Sequence, residues 1–156
     1  MNIGIIVHSQ TGNTLSVAQK LMEKLLENGH SVSLERVTAI NDEQTDAGKI
    51  QLSEAPSVEK YDALIFGAPV RGMSLSAVMS AYLSKTASLE GKIIICYLTQ
   101  FFPFPWMGGN RSIEQMKKIC ESKGGEIHET GIVNWSKPKR EKKIAELADK
   151  FCGECE

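Results

Sequence analysis

Apolar and polar positions along the chain fall into alternating blocks that predict strands and helices in turn. Four short, largely apolar runs are typical of strands covered on both faces of a parallel sheet, and one run of more alternating character predicts a more exposed strand. In chain order the predicted strands cover residues 2–7, the alternating 31–37, then 61–67, 92–98 and 126–135.

Between these strands, apolar residues recur at helical spacing and predict four amphipathic helices. Their inward stripes are Leu15, Ala18, Met22, Leu25 and Leu26; Leu75, Val78, Met79, Tyr82 and Leu83; Ile113, Met116, Ile119 and Cys120; and Ile144, Leu147, Ala148 and Phe151. Residues 38–60 are polar and weakly patterned, so we expect a loose helix or a long loop there.

Strands that alternate with helices imply an α/β fold, with right-handed crossovers and helices on both faces of a parallel sheet. We expect one domain over residues 1–151 and a short tail, 152–156, that carries the Cys-x-x-Cys of Cys152 and Cys155. In such sheets a ligand lies beyond the carboxyl ends of the strands. The loops after the first, third and fourth predicted strands are therefore the candidate site.

Net charge and hydropathy argue against several classes of partner. The net charge of −1 gives no general attraction to nucleic acid or to an anionic membrane. No apolar run approaches the roughly 18 residues that cross a bilayer, and the N-terminus lacks the basic start and cleavage site of a signal peptide. We therefore expect a cytoplasmic protein with reduced cysteines that binds neither nucleic acid nor membrane.

The first loop, residues 8–14, combines hydroxyl side chains, amide side chains and one glycine just before a predicted helix. Backbone N–H groups and the dipole at a helix N-terminus favour an anion there. The alternative is that Thr11 or Thr14 merely caps the helix. Neither G-x-x-x-x-G-K-[ST] nor G-x-G-x-x-G is present, which argues against triphosphate hydrolysis and the dinucleotide fingerprint.

The run Ser9, Gln10, Thr11, Gly12, Asn13, Thr14 resembles the [ST]-x-T-G-N-T phosphate loop of the flavodoxin family. This resemblance implies a three-layer α/β/α sandwich with a five-stranded parallel sheet in the order 2-1-3-4-5. It also implies an FMN cofactor whose phosphate is held by these six residues.

The same resemblance assigns the two other loops to the flavin ring. The second loop, beside the isoalloxazine edge, corresponds to Ala68, Pro69, Val70, Arg71 and Gly72, and the third, on the other side of the ring, to Thr99, Gln100, Phe101 and Phe102. Gly72 resembles the residue whose peptide group interacts with flavin N5. The alternative is that Gly72 is a plain turn glycine. Phe101 or Phe102 could stack on the ring or simply pack in a core or lid.

Arg71 departs from the family pattern, which often has an aromatic residue at this position. A guanidinium can stack over the ring, and its positive charge would favour the fully reduced, anionic flavin. The alternatives for Arg71 are a solvated surface charge and a clamp for a substrate.

Three further features have both a structural and a functional interpretation. The aromatic and proline-rich segment 101–109 is either a flap that binds a ligand or partner, or a segment packed inward or on a second subunit. Cys152 and Cys155 are spare thiols, or form an intersubunit disulfide or a shared metal site. The cluster at the start of the last helix is a solvated face or docks an acidic partner such as a ferredoxin; it comprises Lys137, Lys139, Arg140, Lys142 and Lys143.

No catalytic side chain or metal ligand is assigned, and His8, beside the first loop, is interpreted as a packing or hydrogen-bonding residue. The function favoured by the sequence is an FMN-binding electron carrier between a reductase and an acceptor, as a monomer or homodimer. The alternative is an NAD(P)H-dependent FMN reductase of quinones, nitro compounds or similar small acceptors. A flavin-free binding module is the third hypothesis.

Overall fold

The computed structural model describes residues 1–101, 104, 106–136 and 139–155. In chain order its elements are β1 (Asn2–Val7), α1 (Asn13–Glu27), β2 (Ser31–Arg36), β3 (Thr38–Ala39), a 3₁₀ turn (Ala47–Lys49), β4 (Leu52–Glu54), β5 (Ala63–Arg71), β6 (Ser74–Leu75), α2 (Ala77–Lys85), β7 (Ile93–Gln100), α3 (Gly109–Ser122), β8 (Glu126–Asn134) and α4 (Arg140–Glu154).

Five parallel strands form the central sheet in the order β2-β1-β5-β7-β8. In chain order this is 2-1-3-4-5, so the predicted α/β fold and strand order are confirmed. Helices α1 and α4 pack together on one face, and α2 and α3 pack together on the other. The result is the three-layer sandwich that the sequence implied.

Two hydrophobic cores flank the sheet because successive strand side chains point to opposite faces. In β1, Ile5 joins the core under α1 and α4, whereas Ile6 joins the core under α2 and α3. Both side chains are fully buried. The apolar runs in the sequence therefore reflect a sheet that is covered on both sides.

The polar stretch 38–60 differs from the expected loose helix or long loop. Strands β3 and β4 form a small antiparallel pair, with the 3₁₀ turn between them. Val37, Ile50 and Val58 are buried against the core under α2 and α3. The pairing joins segments about a dozen residues apart through only two or three residues each, and local patterning gives no signal for such contacts.

The C-terminus also differs from the expected tail. Helix α4 continues to Glu154, and Cys152 and Cys155 are both buried under it. The spacing of Ala148, Phe151, Cys152 and Cys155 extends the apolar stripe by one more turn. Among the described residues, no helix combines the length and hydropathy needed to cross a membrane.

Gly67 of β5 and Tyr97 of β7 are register partners, and the tyrosine ring fills the space over the glycine. A Cβ on Gly67 would lie 2.2 Å from the tyrosine ring. The buried Tyr97 hydroxyl donates a hydrogen bond of 2.7 Å to the Thr14 carbonyl in the first turn of α1. The missing side chain at Gly67 therefore lets Tyr97 fix the start of α1 over the sheet.

We predict that Gly67→Ala lowers the free energy of unfolding by about 1–3 kcal/mol, because the added methyl group overpacks a closed core. The measurement is equilibrium urea unfolding followed by circular dichroism. Gly153→Ala is the matched control, since a Cβ on Gly153 in α4 meets open space. The control should keep or raise stability, by up to about 1 kcal/mol from helix propensity. Equal effects of the two substitutions would contradict this account of Tyr97.

Candidate functional site

The carboxyl ends of β1, β5 and β7 bring the three predicted loops to one edge of the sheet. They surround a cavity of about 230 Å³. Its lining includes nine predicted site residues, three from each loop: Gln10, Thr11 and Asn13; Pro69, Val70 and Arg71; and Thr99, Gln100 and Phe101. The structure therefore assembles residues up to about ninety positions apart into one site.

At the amino end of α1 the N-cap residue itself provides no side-chain acceptor. Its N-cap residue is Gly12, in the left-handed region at φ 94°, and its first turn holds no acidic residue. The Ser16 amide donates to the Gly12 carbonyl and the Leu15 amide to Ser9 Oγ. Within the described part of the chain, the N–H groups of residues 11–14 have no acceptor. This terminus fits an anion, which would satisfy those donors and the helix dipole.

Two threonine hydroxyls lie behind this turn. Thr14 Oγ1 and Thr99 Oγ1 are 2.7 Å apart, and both side chains are buried. Because one hydroxyl donates to the other, the accepting hydroxyl keeps its own proton for another acceptor. The pair joins the start of α1 to the end of β7 and still offers one donor to a ligand.

The second loop is largely strand. Ala68 to Arg71 belong to β5, and Val70 and Arg71 pair with Leu75 and Ser74 of β6. The turn between these strands holds Gly72 and Met73, both at positive φ, 54° and 66°. Positive φ at both central residues is typical of a two-residue hairpin, a pairing that the sequence analysis missed.

The residues of this hairpin do not all face the same cavity. Ala68 is buried in the core under α2 and α3. Gly72 is exposed and lines a neighbouring cavity of about 310 Å³, which shares Gln10 and Arg71 with the first cavity. These two side chains therefore form the wall between the cavities.

The third loop begins later than the sequence indicated, since Thr99 and Gln100 are buried in β7. Phe101 is 69% exposed at the mouth of the cavity. Phe102 lies outside the described residues. Further along, Phe104 and Trp106 stack with ring centroids 5.8 Å apart, and they are 49% and 69% exposed. The apolar surface beside the site is therefore open to solvent.

Asp42 connects the first two loops. Its Oδ1 accepts from His8 Nε2 at 2.7 Å, and its Oδ2 accepts from an Arg71 terminal nitrogen at 2.9 Å. The other terminal nitrogen of Arg71 donates to the Asp42 carbonyl, also at 2.9 Å. Glu43, the next residue in the chain, also bonds to the first loop, because its Oε1 accepts from Gln10 Nε2 at 2.7 Å.

His8 is buried and hydrogen-bonded at both ring nitrogens. Its Nδ1 lies 2.8 Å from Ser76 Oγ, which itself accepts from the Met79 amide at the start of α2. Burial lowers the pKa of His8, although the hydrogen bond to Asp42 opposes this shift. A neutral His8 that donates from Nε2 and accepts from Ser76 satisfies every contact, which is the packing role expected from the sequence.

Asp42 is held as the carboxylate. Burial acts to raise its pKa, but hydrogen bonds from Arg71 and His8 outweigh burial and hold the pKa below its ordinary value. Arg36 donates to the Ser9 carbonyl at 3.1 Å and adds a second cation near His8. The first loop is therefore fixed from behind by charged residues of β2 and of the segment after β3.

Asp42, Glu43, Arg36 and Ser76 were missed by the sequence analysis. Asp42 lies in the weakly patterned stretch 38–60, which carried no motif. Its partners His8 and Arg71 are 34 and 29 residues away. Of these four residues, only Ser76 offered a signal, because serine just before an apolar periodic run is a preferred helix N-cap.

The basic cluster of α4 lines a cavity other than the two described above. Lys139, Lys142 and Lys143 line a cavity of about 580 Å³ beside β8. Arg140 stacks over Trp135 with 4.6 Å between guanidinium and ring centre, and it donates to the Trp135 carbonyl. Lys137 lies outside the described residues, among which no group of His, Cys, Asp and Glu could hold a metal ion.

Solved flavodoxin structures resemble this chain over nearly its whole length. An oxidised flavodoxin 2 from Bacillus cereus aligns with a TM-score of 0.72 at 18% identity, covering 98% of this chain and 99% of that one. A two-electron reduced flavodoxin from Megasphaera elsdenii aligns with a TM-score of 0.70 at 21% identity, covering 97% and 98%. At these identities the likeness establishes the fold.

A curated relative in Archaeoglobus fulgidus is described as an NAD(P)H dehydrogenase (quinone). It is 26% identical over 117 residues, which cover 64% of this chain and 61% of the relative. The chain thus matches about three fifths of the length of that protein. The family model for the flavodoxin domain matches residues 4–103, the part that carries all three loops of the site. The chain belongs to the flavodoxin domain family.

Proposed function

We propose that this protein binds FMN in the 230 Å³ cavity and carries electrons between a reductase and an acceptor. Family membership supports a flavin cofactor, and the uncapped amino end of α1 is the observation that favours a phosphate-bearing flavin. That end presents unsatisfied N–H donors at the cavity, with hydroxyl and amide side chains around them. In this proposal residues 9–14 hold the phosphate.

The ring side of the cavity also fits a flavin. Arg71 Nε is buried without a hydrogen-bond partner among the described residues. A flavin ring has nitrogen and oxygen acceptors along its polar edge that could satisfy such a donor. Phe101 at the mouth supplies an aromatic surface for a planar ring. Pro69 and Val70 of the hairpin line the proposed site, and Gly72 lies at the hairpin turn, facing the neighbouring cavity.

FMN would supply the redox chemistry, and the protein would bind, orient and tune it. Residues 9–14 and the Thr14–Thr99 pair hold the phosphate, while Arg71 lies beside the ring. The open stacked pair of Phe104 and Trp106 gives a redox partner or small acceptor apolar surface beside the cofactor.

A second candidate function is direct reduction of a small acceptor, such as a quinone, at the expense of NAD(P)H. The relative described as an NAD(P)H dehydrogenase (quinone) favours it, as does the exposed aromatic surface at the cavity mouth. The cavity of 310 Å³ on the other side of Gln10 and Arg71 offers space next to the proposed flavin site.

An anaerobic titration of the FMN-loaded protein separates the two functions. For a carrier we expect dithionite to reduce the flavin in two resolved one-electron steps, with no bleaching by NADH or NADPH alone. The measurement is the absorbance spectrum after each addition, with free FMN as the control. Rapid bleaching by NAD(P)H would overturn the carrier and favour the reductase. Protein that takes up no FMN would overturn both and favour a flavin-free binding module.

A substitution at Thr14 tests the phosphate site. We predict that Thr14→Ala raises the Kd for FMN about 10- to 150-fold, because a hydrogen bond to a charged group contributes roughly 1.5–3 kcal/mol. The measurement is fluorescence titration of FMN with apoprotein. Thr14→Ser keeps the hydroxyl and should bind nearly as the wild type does.

Ser16→Ala, two residues further along α1, controls for a hydroxyl lost outside the site. Circular dichroism of each variant checks that the fold is retained. An unchanged Kd in folded Thr14→Ala would remove this residue from the phosphate site.

A further inference from the structure

We infer that Asp42 is a positioning residue: it holds Arg71 in the wall of the cofactor cavity and offsets its charge, and so limits how strongly the site favours reduced over oxidised flavin. The inference rests on the proposed function, because it concerns the same cavity. It adds a residue to that site that no motif of the chain indicates.

The contacts of Arg71 fix the orientation of its guanidinium group. Both terminal nitrogens bond to Asp42, one to the carboxylate and one to the backbone carbonyl, each at 2.9 Å. Since the guanidinium group is planar, two bonds to one residue define its plane as well as its position. Arg71 is 24% exposed and Asp42 32%, so solvent screens the pair only in part.

Asp42 is itself held from the opposite side. His8 donates to the second carboxylate oxygen, and Ser76 at the N-cap of α2 holds the other ring nitrogen of His8. His8 is 2% exposed and has no room to reorient. Asp42 is therefore linked through His8 to the end of β1 and the start of α2, and it bonds directly to Arg71 of β5.

In this network the charge of Arg71 is paired with that of Asp42. With His8 neutral, Arg71 is the cation bonded to the Asp42 carboxylate, and the two charges offset each other. Arg36 and Glu43 are the other charged groups close by, and they bond to Ser9 and Gln10 respectively. The unpartnered Arg71 Nε leaves the guanidinium able to contact a ligand in the cavity.

Reduction adds negative charge to a flavin, so a nearby cation favours the reduced form and a nearby carboxylate opposes it. Arg71 and Asp42 act in opposite directions on the same ring. Removing the Asp42 charge while keeping an amide oxygen for hydrogen bonding should expose the charge of Arg71. Asp42→Asn is that substitution.

We predict that Asp42→Asn tightens binding of reduced FMN relative to oxidised FMN by about tenfold. For a two-electron couple this raises the midpoint potential by roughly 30 mV. The measurements are the Kd of oxidised FMN and the anaerobic midpoint potential of the bound flavin, equilibrated with a reference dye. Urea unfolding checks that each variant is folded.

Glu43→Gln is the matched control. It removes the same charge from the adjacent residue, whose carboxylate bonds to Gln10 rather than Arg71. Its effect on the ratio of the two Kd values should stay below about threefold, since a solvated charge is strongly screened. In an Arg71→Gln background, Asp42→Asn should shift the ratio less than it does in the wild type, because Asp42 then has no guanidinium to hold and only the direct effect of its charge on the ring remains.

The outcomes separate this inference from the proposed function. Wild-type protein that binds no FMN would overturn both. Normal FMN binding with equal shifts in Asp42→Asn and Glu43→Gln would reduce Asp42 to a general surface charge and overturn the inference alone. A shift toward oxidised FMN in Asp42→Asn, or a shift of undiminished size in the Arg71→Gln background, would also overturn it.

Discussion

The candidate site depends on the packing of Tyr97 over Gly67. Tyr97 lies in the core under α1 and α4, and the missing side chain of Gly67 on the adjacent strand leaves room for its ring. From there its hydroxyl reaches the first turn of α1. The orientation of the proposed phosphate-binding turn is thus set by the core of the sheet, whose strands are the most protected part of such a fold.

Asp42 has a complementary role from outside the sheet. The segment after β3 has little regular structure of its own, yet it closes one side of the site through Asp42 and Glu43. Each of these carboxylates accepts a hydrogen bond from a residue that lines the cavity, Arg71 and Gln10 respectively. The site therefore has a rigid floor from the strands and a polar wall that is held by side-chain hydrogen bonds.

The sequence was sufficient for the fold and for the meeting of the three candidate loops at one edge of the sheet. Apolar runs and helical stripes have fixed periods, and the carboxyl ends of parallel strands share one edge, so loops distant in sequence could be placed together. It was not sufficient where the chain pairs with itself over a few residues. The hairpin of β5 and β6 and the pair of β3 and β4 leave no periodic pattern, and for that reason Asp42 was not connected to His8 or Arg71.

The ion pair also changes the interpretation of Arg71. Considered alone in the sequence, this arginine appeared to place an unopposed positive charge beside the flavin and so to favour the reduced state and two-electron chemistry. In the structure a carboxylate holds it through two hydrogen bonds, and that carboxylate belongs to a segment 29 residues away. A flavin bound in the proposed site would experience the charge of the pair. Arg71 is therefore no longer an argument for the reductase over the carrier, and the distinction rests on whether a nicotinamide can reach the ring past the exposed aromatic surface.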